Sequence, residues 1–239
     1  MMPCAEKTLL MPAKSELTRI QGADVDRYGR NYLIWHAPIG EFGGWANRVK
    51  FEKWLSPDLD VLDFGCGGGW LLASLPGRRK LGVEVNPEAR RTAENLGVPT
   101  AADLAEVPKN AFDRVISNNA LEHVQNPFPV LGQLLEKLRP GGLLILVVPC
   151  ETIRMRFRQN DPNHHLFSWS PQALGNLAQD AGFQVLSCVP FIHKWPPRFQ
   201  MWARLLGPSL FHLLCRCYGR WETSWTQVHL VARKPSPDL

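Results

Sequence analysis

The stretch Val61–Trp70, V-L-D-F-G-C-G-G-G-W, sets an acid and four glycines directly after a short apolar run. Gly65 and Gly67 permit positive φ and carry no side chain, so a ligand can lie against the bare turn. Gly69 lets a following helix pack close, and the start of that helix presents N–H groups without intrahelical partners. Such a turn suits a nucleotide or nucleoside-like ligand; the plainer alternative is a turn that serves only strand–helix packing. Spacing narrows the ligand. A dinucleotide site needs G-x-G-x-x-G, and counting from Gly65 the last position is Trp70. A P-loop needs Gly-Lys-Ser/Thr, and none follows. Asp63 is out of place beside an anionic pyrophosphate and suits a ligand that carries positive charge. Groups able to move a proton lie further along the chain, at His123, His164 and His165.

The elements that must position these residues alternate. Val61–Phe64, Lys80–Val85, Val98–Ala101, Phe112–Ser117, Leu143–Val148, Phe183–Val189 and Trp225–Ala232 read as strands. Trp70–Leu75, Glu88–Leu96, Pro129–Leu138 and Ser170–Asp180 read as helices between them, with Asn86-Pro87 supplying an N-cap and a proline at the first helical position. L-L-I-L-V-V at 143–148 is apolar throughout, as in a strand covered on both faces. Short strand–helix alternation predicts a mostly parallel sheet with right-handed crossovers. Glu41–Leu55 suits an amphipathic helix, and residues 1–20 have no clear pattern.

The totals fit one large α/β domain with additions. The chain has 239 residues, 45% of them hydrophobic and 21% charged, with a net charge of +5. That balance is too mild for a dedicated nucleic-acid surface. The six cysteines, Cys4, Cys66, Cys150, Cys188, Cys215 and Cys217, show neither a disulfide framework nor zinc-site spacing, so they read as reduced thiols in a cytoplasmic protein. The first residues do not resemble a signal peptide, and no apolar run is long enough to span a membrane.

D-F-G-C-G-G-G at 63–69 resembles the first motif of class I S-adenosylmethionine-dependent methyltransferases, D-x-G-x-G-x-G. Further segments agree in order and spacing: V-E-V at 83–85, A-D-L at 102–104, F-D-R-V-I-S-N-N-A-L-E-H-V at 112–124, L-R-P-G-G-L-L-I-L at 138–146, D-P-N-H-H-L-F-S-W-S at 161–170 and D-A-G-F at 180–183. The resemblance covers about residues 61–190 and the last strand. It implies a Rossmann-like α/β fold whose seven-stranded sheet has the order 3-2-1-4-5-7-6, with strand seven antiparallel. It also implies S-adenosyl-L-methionine as cofactor. Asp63, the backbone of Gly65, Cys66 and Gly67, and the Gly69 turn would hold its amino-acid end. Glu84 would accept both ribose hydroxyls, Asp103 the adenine amino group, and the Leu104 N–H would face a ring nitrogen. Asn118 would border the methionine carboxylate and the methyl group.

On the acceptor side the resemblance puts Asn163-His164-His165 after strand five, beside the acceptor pocket, so His164 and His165 are the candidate bases. Some relatives bind a divalent ion through E-x-x-E-H at this spot. Here the segment is Asn119-x-x-Glu122-His123, the first carboxylate is missing, and no metal is expected. Residues 191–220 carry Lys194, Arg198, Arg204, Arg216 and Arg220 with no Asp or Glu, interleaved with apolar and aromatic residues, and Arg198–Cys217 reads as two short helices broken at Gly207-Pro208. This insert can cover an anionic or lipid-linked acceptor, make peripheral contact with an anionic membrane, or simply pack on the domain. The domain reading is an N-terminal helical cap at 1–58 and a methyltransferase domain at 59–239 with inserts at 150–168 and 191–224. The functional expectation is methyl transfer to a small-molecule, glycan or lipid-linked acceptor, with oxygen as the acceptor atom and nucleic acid disfavoured. A non-catalytic partner subunit and a nicotinamide-dependent oxidoreductase are the alternatives.

Overall fold

A computed structural model describes residues 39–159, 161 and 163–236. Cys4, the unpatterned start and most of the expected N-terminal cap lie outside these residues. The chain enters through α1 (Gly40–Asn47). Then follow β1 (Asp60–Phe64), α2 (Trp70–Ser74), β2 (Arg79–Val83), α3 (Pro87–Asn95), β3 (Thr100–Ala101), β4 (Phe112–Asn118), α4 (Pro127–Lys137) and β5 (Leu138–Glu151). The last elements are α5 (Pro171–Asp180), β6 (Gln184–Phe191), α6 (Phe199–Trp221) and β7 (Trp225–Arg233).

The strands form one seven-stranded sheet in the order β3-β2-β1-β4-β5-β7-β6. Its pairings are parallel from β3 to β5, and β7 runs antiparallel between β5 and β6. The expected order and strand direction are therefore found. The apolar run of β5 explains its central place. Leu144, Leu146 and Val148 enter the core on one face, and Leu143, Ile145 and Val147 enter the core on the other.

Two elements differ from their sequence pattern. The helix expected over Glu41–Leu55 ends at Asn47 and continues as 3-10 turns at Arg48–Lys50 and Glu52–Trp54. The tighter turns let Phe51 bury completely in the second core while Lys50 reaches the opposite way, toward β4. The break at Gly207-Pro208 is present, with Gly207 at φ 69°, but the second helical part runs on to Trp221.

α1 lies directly against the start of α2. A Cβ on Gly44 would stand 2.5 Å from the carbonyl oxygen of Trp70, so these glycines bring the N-terminal segment down onto the glycine turn.

Candidate active site

Beyond the carboxyl ends of β1, β2 and β4 lies a cavity of about 780 Å³. The β1–α2 turn forms its floor. The N–H groups of Gly65 and Cys66 both donate to the Val83 carbonyl, at 2.8 and 3.2 Å, which ties the turn to β2. Gly69 has φ +78° and caps α2; a Cβ there would meet the Cβ of Ala93 at 2.7 Å, so its bareness serves packing between α2 and α3. Gly67 is different. Its φ is +54°, and a Cβ there would meet nothing within 4 Å. No neighbour in the protein requires glycine at 67 for space, and the residue faces the cavity. Here the bare turn leaves open space beside the backbone.

Glu84, just past β2, lines the cavity with its carboxylate pinned at both oxygens. Oε2 accepts the Gly67 N–H at 3.0 Å and Oε1 accepts the Asn86 N–H at 2.9 Å. Burial pushes this carboxyl up, and the two N–H donors work against that shift. Each oxygen keeps acceptor capacity for a hydroxyl donor. Asp63 is buried under the turn rather than on the cavity wall. Burial, with the nearby Glu84 charge, holds its carboxyl well above the usual carboxylate range.

Asn118, the last residue of β4, lines the cavity and accepts the Lys50 ammonium at 3.0 Å through Oδ1. Lys50 is itself buried, and desolvation pulls its pKa down to about 7 while Glu122 pushes it back up. It forms no ion pair among the described residues, and it lines the cavity beside Asn118. The sequence motifs did not mark it. The only local signal was an aromatic-rich segment before β1.

Asp103 and Leu104 are not brought to the cavity. β3 is two residues long, and the chain leaves it into a 3-10 turn that Asp103 caps by accepting the Ala105 N–H at 2.7 Å. The Leu104 side chain is fully buried in the core. Val85, Asn86 and Ala89 form the wall at that end.

On the acceptor side the two adjacent histidines separate. His165 lines the cavity, and its Nδ1 lies 2.7 Å from Oε1 of Glu151 at the end of β5. His164 has φ +46°, its N–H donates to Asp161, and it is not part of the wall. Glu151 was not singled out in the sequence, although an acid three residues past an apolar central strand was a usable signal. Trp195, Phe199, Trp225 and Met155 add apolar and aromatic surface to a wall that also carries His123, His193, Lys194 and Gln227.

Glu122, His123 and His165 also approach one another. One potential ligand atom from each lies within 4.8 Å of the others. Glu122 is completely buried, neither of its oxygens has a hydrogen-bond partner among the described residues, and burial pushes its carboxyl up to about 8. The cluster is one carboxylate and two imidazoles, a donor set that suits a divalent ion. It forms without a carboxylate at position 119, where Asn119 instead accepts the Gln227 amide at 2.9 Å.

Residues 40–188 match the model of a methyltransferase domain family. An uncharacterized methyltransferase of Mycobacterium tuberculosis is 32% identical over 181 residues, covering 69% of this chain and 85% of that one. A ubiquinone biosynthesis O-methyltransferase of Xanthomonas oryzae pv. oryzae is 34% identical over 117 residues, 42% of this chain and 48% of its own. Among solved structures, an S-adenosylmethionine-dependent methyltransferase of Thermotoga maritima superposes with a TM-score of 0.63 at 17% identity, covering 89% of this chain and 99% of that one. With that match and that relative, the chain belongs to the S-adenosylmethionine-dependent methyltransferases of the methyltransferase domain family.

Proposed function

We propose that this enzyme methylates a hydroxyl oxygen on a small-molecule, glycan or lipid-linked acceptor, with His165 as the base. The observation that carries the reading is the Glu151–His165 pair on the wall of the cavity that also holds Gly67, Glu84 and Asn118. When bound, S-adenosylmethionine supplies an electrophilic methyl group whose leaving thioether is neutral and needs no acid. The open face of Gly67, the pinned carboxylate of Glu84 and the buried Lys50 cation beside Asn118 fit that cofactor. In this reading Lys50 and Asn118 take its carboxylate, the Gly65–Gly67 backbone faces its amino-acid end with Asp63 supporting the turn from beneath, and Glu84 takes the ribose hydroxyls. Val85 and Ala89 receive the adenine, and Asp103 and Leu104 keep structural duties.

The chain's part in the chemistry is positioning and one proton. Glu151 holds the imidazole proton on Nδ1 of His165, which leaves Nε2 as the acceptor. Nε2 would take the proton of the acceptor hydroxyl, and the aromatic side chains of Trp195, Phe199 and Trp225 would limit competing water. Free thiols at all five described cysteines support a reducing, cytoplasmic setting. Incubation with methyl-labelled cofactor and cell extract, followed by identification of the labelled product, tests the reaction; a product labelled on nitrogen or carbon overturns the oxygen assignment.

A second reading gives His165 to a metal ion, together with Glu122 and His123, and it is favoured by the two Glu122 oxygens that have no hydrogen-bond partner among the described residues. Elemental analysis of the purified protein and turnover after chelation separate the readings. The base reading expects turnover to survive chelation. The metal reading expects it to fall and to return with added divalent ion.

A further inference from the structure

α6 carries large apolar side chains on its outward side as well as its inward side. Inward, Phe211, Cys215 and Gly219 follow one another at one-turn intervals and are buried against the domain. Outward, Leu210 and Leu213 are exposed and Trp221 is 80% exposed, with Arg216 and Arg220 beside them. Before the kink, Met201, Trp202 and Leu205 point outward, Leu205 at 70% exposure, with Arg204 alongside. A helix that merely packed on the domain would turn charge alone outward, whereas here leucine and tryptophan stand exposed among the arginines.

The 152–158 segment repeats this chemistry. In I-R-M-R-F-R, residues 153–158, apolar and basic residues alternate, and Ile153 and Phe157 are 102% and 93% exposed. Among the described residues, none of Arg154, Arg156, Arg158, Arg198, Arg204, Arg216 and Arg220 forms an ion pair with an acid. Both elements border the same cavity: Met155 of the segment and Phe199, at the inward-packed start of α6, contribute to its wall. No helix among the described residues is long and apolar enough to cross a membrane.

Exposed aliphatic and tryptophan side chains among unpaired arginines complement a surface that offers both hydrocarbon and negative charge. We propose that the outward side of α6 and the 152–158 segment form a docking face for an anionic bilayer, and that docking sets the mouth of the cavity at the lipid surface, where a lipid-linked acceptor enters. The acceptor half of this inference rests on the methyl-transfer reading above; the docking half does not.

The test is sedimentation of the full chain with vesicles of phosphatidylcholine alone and of equimolar phosphatidylcholine and phosphatidylglycerol, at low and high salt. Binding is expected to the anionic vesicles only and to weaken with salt. The variants Leu205→Glu with Leu213→Glu, and Phe157→Glu, are expected to weaken it by about tenfold or more while their affinity for S-adenosylhomocysteine and their melting temperature stay unchanged. Absence of wild-type binding to anionic vesicles, or equal binding by the variants, overturns the proposal. So does a dimer in solution that these glutamates dissociate without any effect on vesicles, because a second copy then covers the face. Because vesicle binding needs neither acceptor nor turnover, its failure is read separately from failure of the labelled-cofactor assay.

Discussion

Oε1 of Glu151 and Nδ1 of His165 stand 2.7 Å apart, joining the end of β5 to the segment that follows it across 14 residues of chain. A carboxylate at this distance selects one imidazole tautomer and one ring orientation. His165→Ala is expected to lower kcat by about 10²–10⁴-fold, the range of a lost general base. Glu151→Ala should lower it by a smaller factor, and His164→Ala should leave it nearly unchanged. Steady-state kinetics on the identified acceptor, with calorimetric cofactor affinity as the control, checks all three. Equal losses at His164 and His165 would point to ordering of the loop instead.

Gly67 and Gly69 share a positive φ but answer to different neighbours. Gly67→Ala is expected to cost about 1–2 kcal/mol of stability from backbone strain alone, yet to weaken cofactor binding strongly, because the new methyl group enters the ligand's space. Gly69→Ala adds a collision with Ala93 to the same strain, so it should lower the melting temperature more. Thermal melts and cofactor titration on the two variants reveal the contrast.

Lys50 meets its cofactor partner, on our reading, as a cation with a pKa of about 7 in the free protein. Binding of a carboxylate favours the ammonium form, so binding takes up a proton above that value and weakens as pH rises through it. Affinity for S-adenosylhomocysteine should fall about fivefold from pH ~7 to pH ~8 and approach tenfold for the next unit. Lys50→Met should bind more weakly near neutrality and lose this slope. Calorimetry in buffers of different ionisation enthalpy measures the proton uptake directly.

His193 is buried beside His212, with their ring nitrogens 2.9 Å apart. Burial first, then the nearby Lys50 charge and His212, push its pKa down to about 3, below the value of 6.5 for a free imidazole. A group depressed in the folded state stabilises above the unfolded pKa, and that contribution is lost as pH falls from about 6.5 through about 3. The urea midpoint should therefore drop on acidification, and His193→Gln should drop less steeply over the same window.

Much of the scaffold was legible because it depends on neighbours in sequence. The N-cap at Asn86 is present, with its Oδ1 accepting the Glu88 N–H at 2.9 Å, and the Gly207-Pro208 break falls where the residue types require it. The apolar run of β5 announced a strand covered on both faces, and that is its place in the sheet. The helix over Glu41–Leu55 was overextended because a helix followed by 3-10 turns gives much the same apolar spacing, and only the pocket that takes Phe51 distinguishes them.

By itself, the order of residues determined the glycine turn and the strand ends that carry Glu84 and Asn118, since these follow from backbone propensity and spacing. Tertiary structure alone decided that Lys50 crosses 68 residues of sequence to reach Asn118, that His165 rather than His164 faces the cavity, and that Asp103 turns back to cap its own loop. The reason is physical: propensity acts over a few residues, whereas desolvation and hydrogen-bond geometry are set by groups that only the completed fold brings together.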